Sequence, residues 1–446
     1  MTDSGFIVAV IGAGPAGIFA SKQLAANGHE VVLINKDIKP GGLAEYGIYP
    51  TKHRIKEGLR NQFRSILSDP KVHYFGNIEV GTVGDITFRE IREMGFSAIL
   101  VTAGAQAARH LGVPGEQLKG VYHAKDVVYH YNKLPPYSQM DFHIGKRVAI
   151  VGAGNVMLDL AHWLIDEVQV DEVFPVIRRG PAEVKFDKKE LESVVANLDV
   201  KALDEELERV APVMRAAGQN PGEARDFFLS AMQKGIHHNS PTRFEMKFLS
   251  APQLLIGDDH GKLTGLVVEE TVLQESHGVI KAVGTGVERT IDVDTVILAI
   301  GDQVDQNLGL PLDGNQFVRH PNPGYPVEGV SYEVYDPTIE KAIDGVFLAG
   351  WSRLASTGLV GLARKDAVNA AIAVHAYLAE KKNIHRVSAV EIMASAHRHC
   401  LNCVDYDDIK RLEQAEEQKA AELGVEEFRF DTNEQMLVAI RSGLIA

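Results

Sequence analysis

The sequence predicts an α/β protein with two doubly wound parallel sheets, and three observations carry that prediction. The first is the unbroken apolar run Phe6-Ile7-Val8-Ala9-Val10-Ile11, which suits a parallel strand buried on both faces. The second is the punctuation after that run. Gly12-Ala13-Gly14-Pro15-Ala16-Gly17 turns the chain into a helical stretch over 18–27, Gly28 stops that helix, and a second strand comes at 31–34. The third is repetition. A strand at 147–151 turns through Gly152-Ala153-Gly154-Asn155-Val156-Met157 into a helical stretch over 158–167 and a strand over 172–177. Two units of one design predict two Rossmann-like dinucleotide-binding domains.

Composition agrees with such a chain. Its 446 residues allow two to four domains at roughly 100–200 residues each. Hydrophobic residues make up 45% and charged residues 24%, the balance of an ordinary globular protein. A net charge of −14 argues against bulk nucleic acid or an anionic membrane as the main partner. No apolar run reaches the roughly 18 residues that span a bilayer. The first apolar run enters its Gly-rich turn without a basic segment before it, so no signal peptide is expected and the setting reads as cytoplasmic.

Each remaining element has a local signal. Further strands are expected at 98–101, 295–300 and 346–349, each ending in a turn with glycine: Thr102-Ala103-Gly104, Gly301-Asp302 and Gly350-Trp351. Residues 248–272 alternate around Gly257-Asp258-Asp259-His260-Gly261 and predict a hairpin. Residues 201–235 and 405–427 have helical patterns, and Leu134-Pro135-Pro136-Tyr137 reads as a linker or surface loop. The two cysteines, Cys400 and Cys403, come just after His397 and His399. With no second cysteine pair, two thiols in a turn or core outweigh a structural zinc site or a redox pair.

The Gly-rich turns carry the chemistry. Gly12 permits the tight exit from the strand, Gly14 lets backbone amides approach a pyrophosphate, and Gly17 lets the helix pack on the sheet. The acid expected after the second strand is Asn35 here, whose amide can still bond a ribose hydroxyl. In the second turn Met157 takes the third glycine position. Either that helix sits further from its strand or Met157 folds away. Arg178 and Arg179 end the next strand, where two guanidiniums suit a 2′-phosphate and so NADP(H). Two dinucleotide sites in one chain suggest a flavin and a nicotinamide that reduces it.

Nearly end to end, the chain resembles the adrenodoxin reductase family of ferredoxin–NADP(+) reductases and, more distantly, the glutamate synthase small subunit. The resemblance rests on G-A-G-P-A-G at 12–17, G-G-L-A-E-Y-G-I at 41–48, G-N-I-E-V-G at 76–81 and L-G-V-P-G-E at 111–116. It continues through G-A-G-N-V-M-L-D at 152–159, R-R-G-P-A-E-V-K-F-D-K-K-E-L at 178–191, F-L-A-G-W at 347–351 and the stretch from 404 to 436. It implies a glutathione reductase-like α/β fold with a discontinuous FAD domain over 1–106 and 325–446, around an NADP domain over 107–324. FAD would be held by Gly12, Gly14, Pro15, Ala16 and Gly17, with Asn35 at the adenosine ribose and Gly42, Leu43, Val80 and Gly104 lining the site. Gly350 and Trp351 would lie near the isoalloxazine, and Gly358, Leu359 and Val360 would offer amides to its pyrimidine edge. NADP would take Ala153, Gly154, Asn155 and Val156 at its pyrophosphate and Arg178 and Arg179 at its 2′-phosphate. Glu190 would face the nicotinamide end, so Trp351 and Glu190 are the candidate catalytic residues.

The resemblance implies hydride transfer from NADPH to FAD, then single-electron transfers to ferredoxin or another iron–sulfur carrier. The chain departs from the family at Arg353-Leu354-Ala355-Ser356, where a basic Lys-Arg-Gly-Pro is usual. It departs again at Thr51-Lys52, where an Asp-His pair is usual and His53 comes one place late. Lys52, Arg54, Lys56, Arg60 and Arg64 form the candidate docking face for an acidic carrier. Three rivals are an NADPH-oxidising subunit of a larger complex, a thiol–disulfide reductase using Cys400 and Cys403, and a protein that merely binds FAD. The early start of the first strand argues against the first, the late position of the cysteines against the second, and the apparent NADP site against the third.

Overall fold

A computed structural model describes residues 5–276, 278–356, 358–381, 391, 400 and 402–442. In chain order its main elements begin with β1 (Ile7–Ile11), α1 (Pro15–Ala26), β2 (Glu30–Ile34), α2 (Leu43–Tyr46), α3 (His53–Leu67), β3 (Val72–Phe75) and β4 (Ala98–Val101). The middle of the chain supplies β5 (Val121–His123), β6 (Arg147–Val151), α4 (Asn155–Trp163), β7 (Glu172–Val176), α5 (Lys188–Leu191), α6 (Val200–Ala216), α7 (Pro221–Met232) and β8 (Arg243–Phe244). Next come β9 (Ser250–Gly257), β10 (Leu263–Ser276), β11 (Val279–Ile291) and β12 (Thr295–Leu298). The last are β13 (Glu333–Asp336), β14 (Lys341–Leu348), α8 (Val360–Ala379), α9 (Tyr406–Leu423) and α10 (Asn433–Ser442).

Two compact units divide the chain: Met1–Ala108, Tyr129–Gln139 and Asp302–Ala446 form the first, and Arg109–Val128 with Met140–Gly301 the second. The chain thus re-enters the first unit at Asp302 rather than at 325. The proline-containing stretch expected to be a linker or surface loop belongs to that unit, with Leu134 packed against Tyr46 and Tyr129.

In the first unit the sheet order is β13-β14-β4-β1-β2-β3, parallel except where β13 runs against β14. Apolar side chains on both faces of the central strands give it two cores. Val8 and Val10 join Leu24, Leu33, Leu100 and the C-terminal Leu412, Met436 and Ile440 on one side. Ala9 and Ile11 join Val32, Ile34 and Val101 on the other. The period-two alternation of strand side chains makes this division, and it forces the unbroken apolar run that marks β1.

The second unit has a parallel sheet in the order β5-β12-β6-β7-β8 and an antiparallel sheet β9-β10-β11. Ala149, Val151 and Val176 of the former pack with Leu255, Leu266 and Ile291 of the latter. The expected hairpin is β9–β10, and β11 extends it with a strand whose positions are largely exposed, so no apolar alternation marked it. Among the described residues no helix is long and apolar enough to cross a membrane.

Candidate functional site

In the first unit the Gly12–Gly17 turn is fixed from three directions. Gly12 has φ +106°, and a side chain there would meet the Thr102 carbonyl oxygen at 2.6 Å. The Thr102 hydroxyl bonds the Ile11 and Gly12 carbonyls at 3.0 and 2.7 Å, so the end of β4 holds the turn shut. Gly17 brings α1 hard onto the turn: a Cβ would lie 1.9 Å from the Gly12 oxygen. Gly14, in contrast, has nothing within 4 Å of where a Cβ would stand, and as N-cap of α1 it supplies no side-chain cap. Pro15 occupies the first turn and no acid does. The result is open space in front of uncapped helix amides, a terminus that suits a phosphate.

Other segments close around that turn. The Gly41 N–H donates to Ala13 O at 2.7 Å, and a Cβ on Gly42 would lie 3.0 Å from Gly14 Cα. Leu43 then opens α2, half-buried against the cluster of Tyr46, Tyr129 and Leu134. Gly350 has φ +62° and sits on Ala16, where a side chain would come within 2.7 Å of the alanine methyl. Asp366, which gave no sequence signal, positions it: its Oδ2 accepts the Gly350 N–H at 2.7 Å, and the same carboxylate pairs with Arg353. Arg353 also lies 4.9 Å over the Tyr332 ring. Ser352 Oγ accepts the Gly104 N–H at 2.9 Å. Gly104, Gly350 and half-buried Trp351 are therefore gathered beside Ala16. Val80 is half-buried against the second core, and Gly358 and Leu359 lead into α8, whose first amides near Val360 have no side-chain cap.

Asn35 is placed differently from a free ribose ligand. Its Oδ1 accepts the Ala13 N–H at 3.0 Å and its Nδ2 donates to Asp37 O and Lys39 O at 2.9 and 3.1 Å. The buried amide ties the Gly-rich turn to the loop after β2.

In the second unit Gly152 repeats the strand exit, and a Cβ there would meet Ala299 O at 2.3 Å. Gly154 caps α4 over open space without a side-chain cap. Met157 is fully buried, so its side chain folds into the unit, while Val156 is 46% exposed. The segment before α5 lies on this turn: Lys185 N–H donates to Ala153 O at 2.8 Å, and Asp187 N–H donates to Asn155 Oδ1 at 2.9 Å. Asn155 Nδ2 donates back to Asp187 Oδ2 at 3.1 Å, and Asp187 stands, without a side-chain cap bond, at the N-cap position of the helix that carries half-buried Glu190. Arg178 is exposed and Arg179 half-exposed just past β7, and neither guanidinium has an ion-pair partner among the described residues.

Comparisons with known proteins agree with this geometry. The pattern of the family described as "Pyridine nucleotide-disulphide oxidoreductase" matches residues 6–200. NADPH-ferredoxin reductase FprA of Mycobacterium leprae is 28% identical over 394 residues, 80% of this chain and 81% of that protein. The mitochondrial NADPH:adrenodoxin oxidoreductase of Arabidopsis thaliana is 28% identical over 387 residues, 79% of this chain and 78% of that one. The solved structure of Mycobacterium tuberculosis FprA in complex with NADPH aligns with a TM-score of 0.80 at 22% identity, covering 98% of this chain and 99% of that chain. Over about four-fifths of its length the chain is similar to proteins of the adrenodoxin reductase type.

The first unit has electrostatics that its sequence did not announce. The docking face expected along α3 does not form as a row of free cations. Lys56 is buried and donates to Asn132 Oδ1 at 2.8 Å, and burial followed by the nearby Arg429 lowers its pKa to about 7. Arg60 grips Glu45 with two bonds of 2.8 Å and Glu427 with one of 2.6 Å, while Arg64 pairs with Glu57 and Glu413. Arg54 stays exposed. Burial alone would raise the Glu45 carboxyl, but Arg429, Lys39 and Arg60 outweigh it and hold it well below the usual carboxylate range. Lys39 also bonds Glu416 at 2.6 Å. The C-terminal segment is thereby ion-paired to α2, next to Gly42 and Leu43. Nothing in the sequence marked this, because the partners stand hundreds of residues apart.

The thiols are inert by placement. Cys400 is buried and donates to Asn77 O at 3.1 Å, and burial followed by the Cys400 neighbour pushes the Cys403 thiol up to about 11. Both are free, and a thiolate nucleophile is disfavoured there. His397 and His399 lie outside the described residues.

Proposed function

We propose that the chain is an FAD-dependent NADPH oxidoreductase that passes electrons between NADP(H) and an iron–sulfur carrier such as ferredoxin. One observation carries this reading: two uncapped, glycine-opened helix N-termini in one chain, the second in a unit where two guanidiniums lack ion-pair partners among the described residues. Relatives named NADPH-ferredoxin reductase and NADPH:adrenodoxin oxidoreductase support it.

In this reading the first unit holds FAD. Gly12, Gly14, Pro15, Ala16 and Gly17 face its pyrophosphate, Gly42, Leu43, Val80 and Gly104 line it, and Gly350 and Trp351 adjoin its ring system. Asn35 contributes by holding the loop rather than through a free amide. The amides of Gly358, Leu359 and Val360, with the N-terminus of α8, supply fixed donors where negative charge develops. Bound FAD supplies the conversion between two-electron hydride chemistry and one-electron transfer. The second unit holds NADP(H): Ala153, Gly154, Asn155 and Val156 at the pyrophosphate, Arg178 and Arg179 as charge-assisted donors to the 2′-phosphate, and Glu190 at the nicotinamide end. Asn155 and Asp187 position Glu190 by joining the Gly-rich turn to α5. No side-chain nucleophile is required. Two free thiols and an acidic net charge accord with a cytoplasmic setting.

The test is direct. Purified protein should be yellow with one FAD per chain, and anaerobic NADPH should bleach the flavin, which added ferredoxin should then reoxidise. A colourless protein that takes up no FAD on reconstitution, or a flavin that NADPH does not bleach, would overturn the reading.

A further inference from the structure

We propose that the second unit carries a binding site for a divalent metal ion of the zinc class, formed by His162, Asp166 and His238. The site lies outside both Gly-rich turns. Near its C-terminus α4 carries His162 and then runs into one π-helical turn, Leu164–Val168, which carries Asp166 and ends at Gln169 with φ +55°. Such wide turns are rare and recur at functional sites. His238 arrives from the segment after α7. One ligand atom from each of the three residues lies within 4.8 Å of the other two.

Hydrogen-bond roles point to a positive charge between them. His238 Nε2 is 2.6 Å from the Ser193 carbonyl oxygen, which can only accept, so Nε2 carries the proton. That leaves Nδ1 of the neutral ring as an acceptor, and it faces Asp166 Oδ1, another acceptor, at 3.1 Å. Two lone pairs at that distance need either a second proton on the ring or a cation. A second proton would serve that pair alone, whereas a cation would also draw on His162, whose ring centroid lies 4.8 Å from that of His238. A metal ion uses all three groups.

The donor set selects the ion. Two imidazoles and one carboxylate suit Zn2+ and its late first-row neighbours, whereas Mg2+ and Ca2+ take oxygen ligands. Three protein ligands leave a fourth position open. Zinc bonds of about 2.0–2.2 Å put tetrahedral ligand atoms about 3.3 Å apart. The His238–Asp166 pair is already there, and the Asp166 side chain, 43% exposed, has room to adjust. The Ser193 carbonyl is the kind of outer partner that fixes the tautomer and orientation of a metal-bound imidazole. Ser193 Oγ also donates to Glu190 O at 2.7 Å, and Ile236 N–H donates to Glu192 O at 2.9 Å. An ion bound here would brace the helix that carries Glu190.

The experiment is a titration of the full-length, FAD-loaded protein with Zn2+ by calorimetry, and with Co2+ by visible absorption. One ion per chain is expected, with Co2+ bands of imidazole coordination. His238→Gln should weaken Zn2+ by at least about 100-fold and Asp166→Asn by about 10-fold or more. Flavin content and circular dichroism check that each variant is folded. Should His238→Gln misfold, Asp166→Asn alone decides, because its side chain is half-exposed. No Zn2+ uptake by the wild type at millimolar ion would overturn the site. So would undiminished affinity in the folded variants, which would place the ion on other histidines.

Discussion

The two Gly-rich turns share a glycine at the strand exit and a glycine N-cap over open space, yet they are finished in opposite ways. In the first, Thr102 comes directly after β4 and its hydroxyl bonds the turn shut; the equivalent place after β12 is Ala299, which has no hydroxyl. The first accepts no Cβ at its third position, whereas the second buries Met157 there. After β2, Lys36 is held by Glu79 at 2.8 Å; after β7, Arg178 has no ion-pair partner among the described residues. Around its open helix terminus the first site is braced by its own protein and fits a resident cofactor. The second leaves charge available and fits a ligand that comes and goes. That difference arises from which polar groups the fold has already satisfied.

The sharpest way to break the comparison is Gly17→Ala. Its Cβ would fall 1.9 Å from a backbone oxygen, so the strain should reach about 3 kcal/mol or more and FAD should be lost. Absorption of the purified protein and its thermal midpoint check this; a yellow variant with an unchanged midpoint would show that the first turn is not closed as described. Arg178→Ala combined with Arg179→Ala comes next. Losing charge-assisted bonds of about 1.5–3 kcal/mol should lower kcat/KM for NADPH about 100-fold and leave NADH nearly unchanged. Lys36→Ala, which removes only an exposed pair, should alter neither coenzyme's kcat/KM. An unaltered NADPH-to-NADH ratio in the double variant would remove the 2′-phosphate assignment.

The smallest effect concerns the ion pairs beside α2. Burial would raise the Glu427 carboxyl, but Arg429 and Arg60 bring it down to about 2 from an ordinary 4.5. The unfolded chain therefore takes up this proton first as the pH falls. The pair's contribution is fully present above about pH 4.5 and is lost toward about pH 2, a change of about 2 kcal/mol after screening of a carboxylate that is 22% exposed. Glu427→Gln should flatten that limb in denaturation curves measured across pH. An unchanged acid slope would mean that the C-terminal segment does not stabilise the first site.

Much of this could be read from the chain alone, and the failures have one cause. Gly12, Gly14 and Gly17 were legible because strand periodicity and glycine sterics act over a few neighbouring residues. The place of Arg178 and Arg179 just past β7 was legible because it is set by the end of a strand. Lys56, Arg60 and Arg64 misled, since a basic row at helical spacing says nothing about Asn132, Glu413 or Glu427 arriving from elsewhere. Asp366 was silent for the same reason, and the His162–Asp166–His238 cluster joins segments separated by three further helices.

By itself, the sequence determined two dinucleotide-binding units and the positions of their helix N-termini, because backbone conformation is decided locally. Only the tertiary structure decided which charges are neutralised and which remain available. Charge pairing depends on distance in space, and the partners here come from far along the chain.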